Sequence, residues 1–220
     1  NQAFAAAERG ELASAIRELK KALASQPRRL DWLTALAELH ERAGNFEPCY
    51  LVSQRIASVS DKNQDNDLRL VECAFKLQRY RDVINRAQPL RDDNHPAVDR
   101  LCILQGEALY RLRDFTDAKT CFLDAIAGKT QDLTAYVRLA EILDSESGQS
   151  DEAMAQLDAM VARFKNVEAY LARGKFLFKK AGGLKLSTLD QSNTEPNLWA
   201  ERAANDASNA LAASRHSAEA

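Results

Sequence analysis

The sequence predicts an all-α fold, and three observations carry that expectation. Only eight glycines and five prolines punctuate its 220 residues. Ala, Leu, Glu, Lys, Arg and Gln dominate the rest, and all are good helix formers. Apolar residues recur at spacings of three and four and never in sustained alternation, which is the helical period. A hydrophobic share of 45% supports a packed interior and argues against wholesale disorder.

Charge narrows the function classes. The formal net charge of −2 leaves no basic footprint for nucleic acid. No apolar run approaches the roughly 18 residues that a membrane-spanning helix requires. The chain begins Asn1-Gln2-Ala3 in the middle of a helical pattern, so it reads as a segment of a longer protein with room for an export signal upstream. Cys49, Cys73, Cys102 and Cys121 stand apart, form no C-x-x-C pair, and each occupies a helical position where a small apolar residue would serve. Buried free thiols are expected, which favours a reducing, cytoplasmic setting.

The stretch GEALYRLRDFTDAKTCFLDAI, residues 106 to 126, places Gly106, Ala118 and Ala125 among larger residues at regular intervals. Its register recurs along the chain. Ala15, Leu19 and Ala22 match Ala118, Phe122 and Ala125; so do Cys49, Ser53 and Ile56, then Val83, Ala87 and Leu90, then Ala153, Leu157 and Met160. The offset is 34 from Ala15 to Cys49 and to Val83, then 35 to Ala118 and 35 to Ala153. A second series runs half a period earlier: Leu36-Ala37, Leu70-Val71, Gln105-Gly106, Leu139-Ala140 and Arg173-Gly174. A period near 34 made of two helices marks a repeat array.

The array resembles the tetratricopeptide repeat (TPR) family. Tyr136-x2-Leu139-Ala140-x2-Leu143 and Tyr170-x2-Arg173-Gly174-x2-Leu177 follow that family's first-helix motif. Ala118-x3-Phe122-x2-Ala125 follows its second-helix motif, and Pro27 sits at its closing proline. The resemblance implies a right-handed α-solenoid of about six TPR-like helix-turn-helix repeats, in which small residues admit a neighbouring helix and stacked units share a continuous core. The units expected are 1–29, 30–63, 64–97, 98–131, 132–166 and 167–215, the last with an insertion at 183–196.

The helices follow in order. The first pair, 1–9 with 11–25, turns at Arg9-Gly10-Glu11-Leu12. The second, 30–43 with 46–60, turns at Ala43-Gly44-Asn45-Phe46, and Pro48 suits the first turn of its second helix because its missing N–H costs nothing there. The third, 65–78 with 80–91, turns at Gln78-Arg79-Tyr80, and Pro89 should close that helix early or kink it. Asp92-Asp93-Asn94-His95-Pro96 should form a longer surface loop. The fourth pair, 97–112 with 115–128, turns at Arg113-Asp114-Phe115. Gln78 and Arg113 replace the turn glycine, while Asp67 and Cys102 replace the large residue that opens the first helix. The fifth pair is 132–145 with 150–164. The sixth is 167–181 with 195–215, separated by LKLSTLDQSNTEPNL, whose polar content suggests flexibility.

No enzyme constellation is present. His40, His95 and His216 lie far apart without ligand-spaced companions, and phosphate-loop, nucleophile-elbow, zincin and EF-hand motifs are missing. No cofactor and no metal are expected. The TPR resemblance instead implies a concave groove lined by the first helices, with repeat positions 2, 5, 9, 12 and 13 facing it. Position 5 holds Thr34, Leu68, Ile103, Val137 and Leu171; position 9 holds Glu38, Glu72, Glu107, Glu141 and Lys175. Position 12 holds Glu41, Phe75, Tyr110, Asp144 and Phe178; position 13 holds Arg42, Lys76, Arg111, Ser145 and Lys179. Glu38–Arg42, Glu72–Lys76 and Glu107–Arg111 read equally well as helix-stabilising pairs or as groove charges, and Phe75 and Tyr110 as binding aromatics. The glutamates should repel the free carboxylate of an acidic tail. The function implied is a non-catalytic scaffold holding a protein or peptide partner in the groove. The alternative is a repeat segment that only positions another domain of a larger enzyme or assembly protein.

Overall fold

The computed structural model describes residues 2–60, 63–181 and 194–218. Among them are twelve helices and no strand. The chain divides into two compact units, Asn1–Lys129 and Thr130–Ala220. The division falls between the expected fourth and fifth repeats.

Unit 1 contains α1 (Gln2–Glu8), α2 (Leu12–Ser25), α3 (Leu30–Arg42), α4 (Phe46–Ala57), α5 (Gln64–Lys76), α6 (Tyr80–Asp92), α7 (Val98–Arg111) and α8 (Phe115–Ala127). Each helix packs on the next, and α5 also touches α7, so first helices lie beside first helices. Alternate turns share one backbone device. Gly10 and Gly44 adopt φ of +79° and +70° after α1 and α3. Gln78 and Arg113 adopt +57° and +64° at the equivalent places after α5 and α7. The left-handed residue is therefore required at this turn whether or not glycine supplies it, and the two non-glycine residues carry its strain. Side-chain caps start two helices: Asn63 accepts from the Asn66 amide and Asp114 from the Asp117 amide.

Two sequence expectations about the third repeat need correction. Pro89 lies inside α6, which runs three residues further to Asp92, so the proline does not close the helix. The 93–97 connection is not simply a surface loop either, because His95 is buried. His95 Nδ1 accepts from the Ala97 amide at 3.0 Å, and Nε2 lies 3.0 Å from the Gln64 carbonyl. That geometry requires the neutral ring with its proton on Nε2, and it pins the loop to the start of α5.

The small residues act as the repeat geometry demands. Ala118, Phe122 and Ala125 are fully buried. A Cβ placed on Gly106 would lie 2.7 Å from Phe122 Cε1. The ring occupies the space a side chain at 106 would need. The four cysteines are free and buried, as expected. Burial pushes Cys102 up to about 11 and raises Cys121, which keeps both as neutral thiols.

Unit 2 contains α9 (Thr134–Ser147), α10 (Ser150–Phe164), α11 (Val167–Lys180) and α12 (Thr194–Ala218). Successive helices again pack together over Leu139, Leu157, Met160 and Leu177. Arg173 ties three of them. Its guanidinium donates to Asp206 of α12 at 2.6 and 2.8 Å and to Asp158 of α10 at 2.7 Å. The Asp206 bond, then burial opposing it, leads the balance that holds the Arg173 pKa above its usual value. Gly174 faces α12 here, and a Cβ there would make ordinary contact with Asp206 Cβ at 3.4 Å. Residues 182–193, which include most of the expected insertion at 183–196, lie outside the described residues.

Candidate functional site

The expected groove residues sit on α3, α5 and α7 in unit 1 and on α9 and α11 in unit 2. In unit 1 the glutamates do not serve the within-helix pairs expected for them. Arg69 of α5 donates to Glu41 of α3 at 2.9 Å and lies 3.7 Å from Glu38. Arg100 of α7 donates to Glu72 of α5 at 3.1 Å. These carboxylates therefore join one first helix to the next. The signal was present in the sequence, because both close pairs, Glu41–Arg69 and Glu72–Arg100, are separated by 28 residues. Neither Arg69 nor Arg100 occupies a groove position, so the groove register alone does not single them out.

This pairing changes the electrostatics of the surface. Among the groove-position charges of α3, α5 and α7, the exposed ones lacking an ion pair among the described residues are Arg42, Lys76 and Arg111. Lys76 Nζ lies 6.0 Å from the Phe46 ring centroid. All three cations close the last turn of a helix, where they complement the carbonyl end of its dipole. Arg69 and Arg100 thus offset part of the negative charge at Glu38, Glu41 and Glu72.

The other groove residues divide by burial. Thr34 and Leu68 are half-buried, and Glu38 is exposed. Ile103 and Glu107 are buried, contrary to a groove-facing role, because α7 meets α5, α6 and α8 within its own unit. Phe75 and Tyr110 are half-buried and packed. Phe75 meets Tyr80 edge-on at 6.0 Å, and Tyr110 meets Phe115 at 5.5 Å. Each aromatic closes the turn onto the following helix, so its substitution would disturb folding as well as any binding.

In unit 2, Val137, Glu141 and Asp144 on α9 are half-buried. Glu141 accepts from Arg138 at 2.7 Å. Asp144 pairs with Lys180 at 2.5 Å and accepts from Ser150 at 2.8 Å. On α11, by contrast, Leu171, Lys175, Phe178 and Lys179 are all exposed.

No cluster among the described residues could hold a metal ion, and no described helix is long and apolar enough to cross a membrane. Two polar arrangements lie away from the groove positions. Tyr50 donates to Asp82 and accepts from Arg86 at 3.0 Å. Arg91 donates to Gln105 at 2.8 Å, to Asp124 at 2.6 Å and to Cys121 Sγ at 3.1 Å. The first joins the second helices α4 and α6 of adjacent repeats, and the second joins α6 to both helices of the next repeat, α7 and α8.

Helix pairs repeating in this way, with a left-handed residue at the turn after the first helix, define a tetratricopeptide-type fold. Solved structures agree. The chain is similar to MamA, with a TM-score of 0.64 and 16% identity over 74% of this chain and 91% of that one. It is similar to residues 41 to the end of MamA from Desulfovibrio magneticus, with a TM-score of 0.63 and 14% identity over 72% and 89%. A tetratricopeptide repeat protein from Parabacteroides merdae superposes with a TM-score of 0.60 and 18% identity over 96% and 75%. No protein-family model and no curated protein sequence matches the chain.

Proposed function

We propose that the chain is a non-catalytic scaffold that holds a protein partner on the surface formed by its first helices. The observation that supports this reading most directly is the inter-repeat pairing of Arg69 with Glu41 and of Arg100 with Glu72. It aligns α3, α5 and α7 side by side and offsets part of the acidic charge between them. What stays exposed along their ends is a row of cations, Arg42, Lys76 and Arg111, with half-buried Thr34 and Leu68 alongside. The tetratricopeptide-type fold of the structural neighbours is consistent with such a surface.

The test is a binding measurement with the native partner, captured by the wild-type chain from its source cells. Arg42→Glu, Lys76→Glu and Arg111→Glu together should lower affinity by about tenfold or more, mainly through a slower association rate. Helicity should be unchanged, because none of the three is buried or ion-paired. Undiminished capture by a folded triple variant would remove the first-helix surface from consideration.

A further inference from the structure

We propose that the exposed face of α11 docks an acidic amphipathic helix of another protein. This names a partner chemistry and rests on reading the chain as an interaction scaffold. Glu168, Leu171, Lys175 and Phe178 recur at spacings of three and four, so they share one face of the helix. The other side is spent on the fold: Ala169, Phe176 and Leu177 are buried, and Arg173 and Gly174 meet α12. The exposed face nevertheless carries two large apolar side chains, Leu171 at 43% and Phe178 at 45% exposure.

Three features select the occupant. Leu171 and Phe178 are seven residues apart, about 10 Å along the axis at the usual helical rise. Residues seven apart on a second helix laid alongside meet that spacing. Lys175 stands between the two apolar side chains and Lys179 beyond them, and neither has an ion pair among the described residues. Lys180, next along, is already held by Asp144 at 2.5 Å and Ser150 at 2.9 Å. A place in the last turn accounts for Lys179. It accounts neither for Lys175 nor for the apolar pair left in water. The complement is a helix with carboxylates beside apolar residues. An anionic lipid surface fits less well, because such surfaces recruit clusters of roughly four to eight basic residues. This face has two, with Glu168 opposing them.

The experiment uses the full 220-residue chain. The probes are a synthetic helix-forming peptide about 15 residues long, with Leu and Phe seven apart among glutamates, and its twin with Lys for every Glu. Fluorescence anisotropy should show the acidic peptide binding at least about tenfold more tightly than the basic twin at about 0.05 M salt. The advantage should shrink at about 0.5 M salt. Lys175→Glu with Lys179→Glu should reverse the order. Leu171→Ser with Phe178→Ser should abolish binding of both while circular dichroism stays the same.

Equal binding of the two peptides, no binding of either, or an unchanged preference in the double-Glu variant overturns the proposal. So does binding of phosphatidylserine vesicles in place of the peptide, which would make the face a lipid contact. Concentration-dependent dimerisation lost in the double-Ser variant would assign the face to a second copy and overturn it equally. Failure here with intact dependence on Arg42, Lys76 and Arg111 would leave the scaffold reading standing and remove only the α11 partner.

Discussion

Gly106 and Phe122 show how one missing side chain can be a packing requirement. The Phe122 ring is fully buried, so it has little room to retreat from an added methyl group 2.7 Å away. Gly106→Ala should destabilise the chain by about 1–3 kcal/mol, despite the better helix propensity of alanine. A thermal melt decides this, and an unchanged midpoint would mean the ring relaxes freely. His40 presents the opposite problem, a polar group in an apolar place. It is 3% exposed, and neither ring nitrogen has a hydrogen-bond partner. Burial first, and the charge of Lys20 second, push its pKa below the ordinary value. Its neutral form is therefore favoured by folding. The stability it contributes is fully present above the unfolded pKa of about 6.5 and is lost as pH falls through the lower folded value. Urea midpoints should fall between pH 7.5 and 5, and His40→Leu should flatten that slope. A slope that survives the substitution would assign the effect elsewhere.

At the scale of elements, the turn after each first helix offers a clean comparison. Gln78 adopts the left-handed conformation that Gly10 and Gly44 adopt without strain. Gln78→Gly should raise stability by up to about 1 kcal/mol, the strain relieved less the extra flexibility glycine gives the unfolded chain. A lower denaturation midpoint would show that Gln78 contributes more than its backbone. The helices themselves were largely legible in the sequence, because Ala118, Phe122 and Ala125 recur in register and the turns are short. Pro89 and His95 were not. Whether a proline interrupts a helix depends on neighbours that hold the helix together around it. Whether a loop histidine is solvated depends on a carbonyl 31 residues away.

At the scale of the whole molecule, the all-α repeat class could be read from one period, whereas the state of the candidate surface could not. The glutamates at position 9 were visible; their partners Arg69 and Arg100 required the distance between helices. The sequence marks Phe75 and Tyr110 as binding aromatics, but not their contacts with Tyr80 and Phe115, which depend on how each helix pair folds back. Unit 1 has its own core, centred on residues such as Leu33, Ile56, Val71 and Leu101. Residues 1–129 expressed alone should therefore be helical and melt cooperatively, as repeats draw stability from their immediate neighbours. A chain of residues 1–129 that is unfolded by circular dichroism would show that its core depends on more than those neighbours.

The bridges between repeats carry one further consequence. Glu41–Arg69 and Glu72–Arg100 span 28 residues, Tyr50–Asp82 and Glu47–Arg79 span 32, and Arg91–Asp124 spans 33. Each closes a length of chain of about one repeat, so each meets nearly the same entropic cost of closure wherever it occurs. Search time during folding is then set by the single repeat and not by the number of repeats strung together.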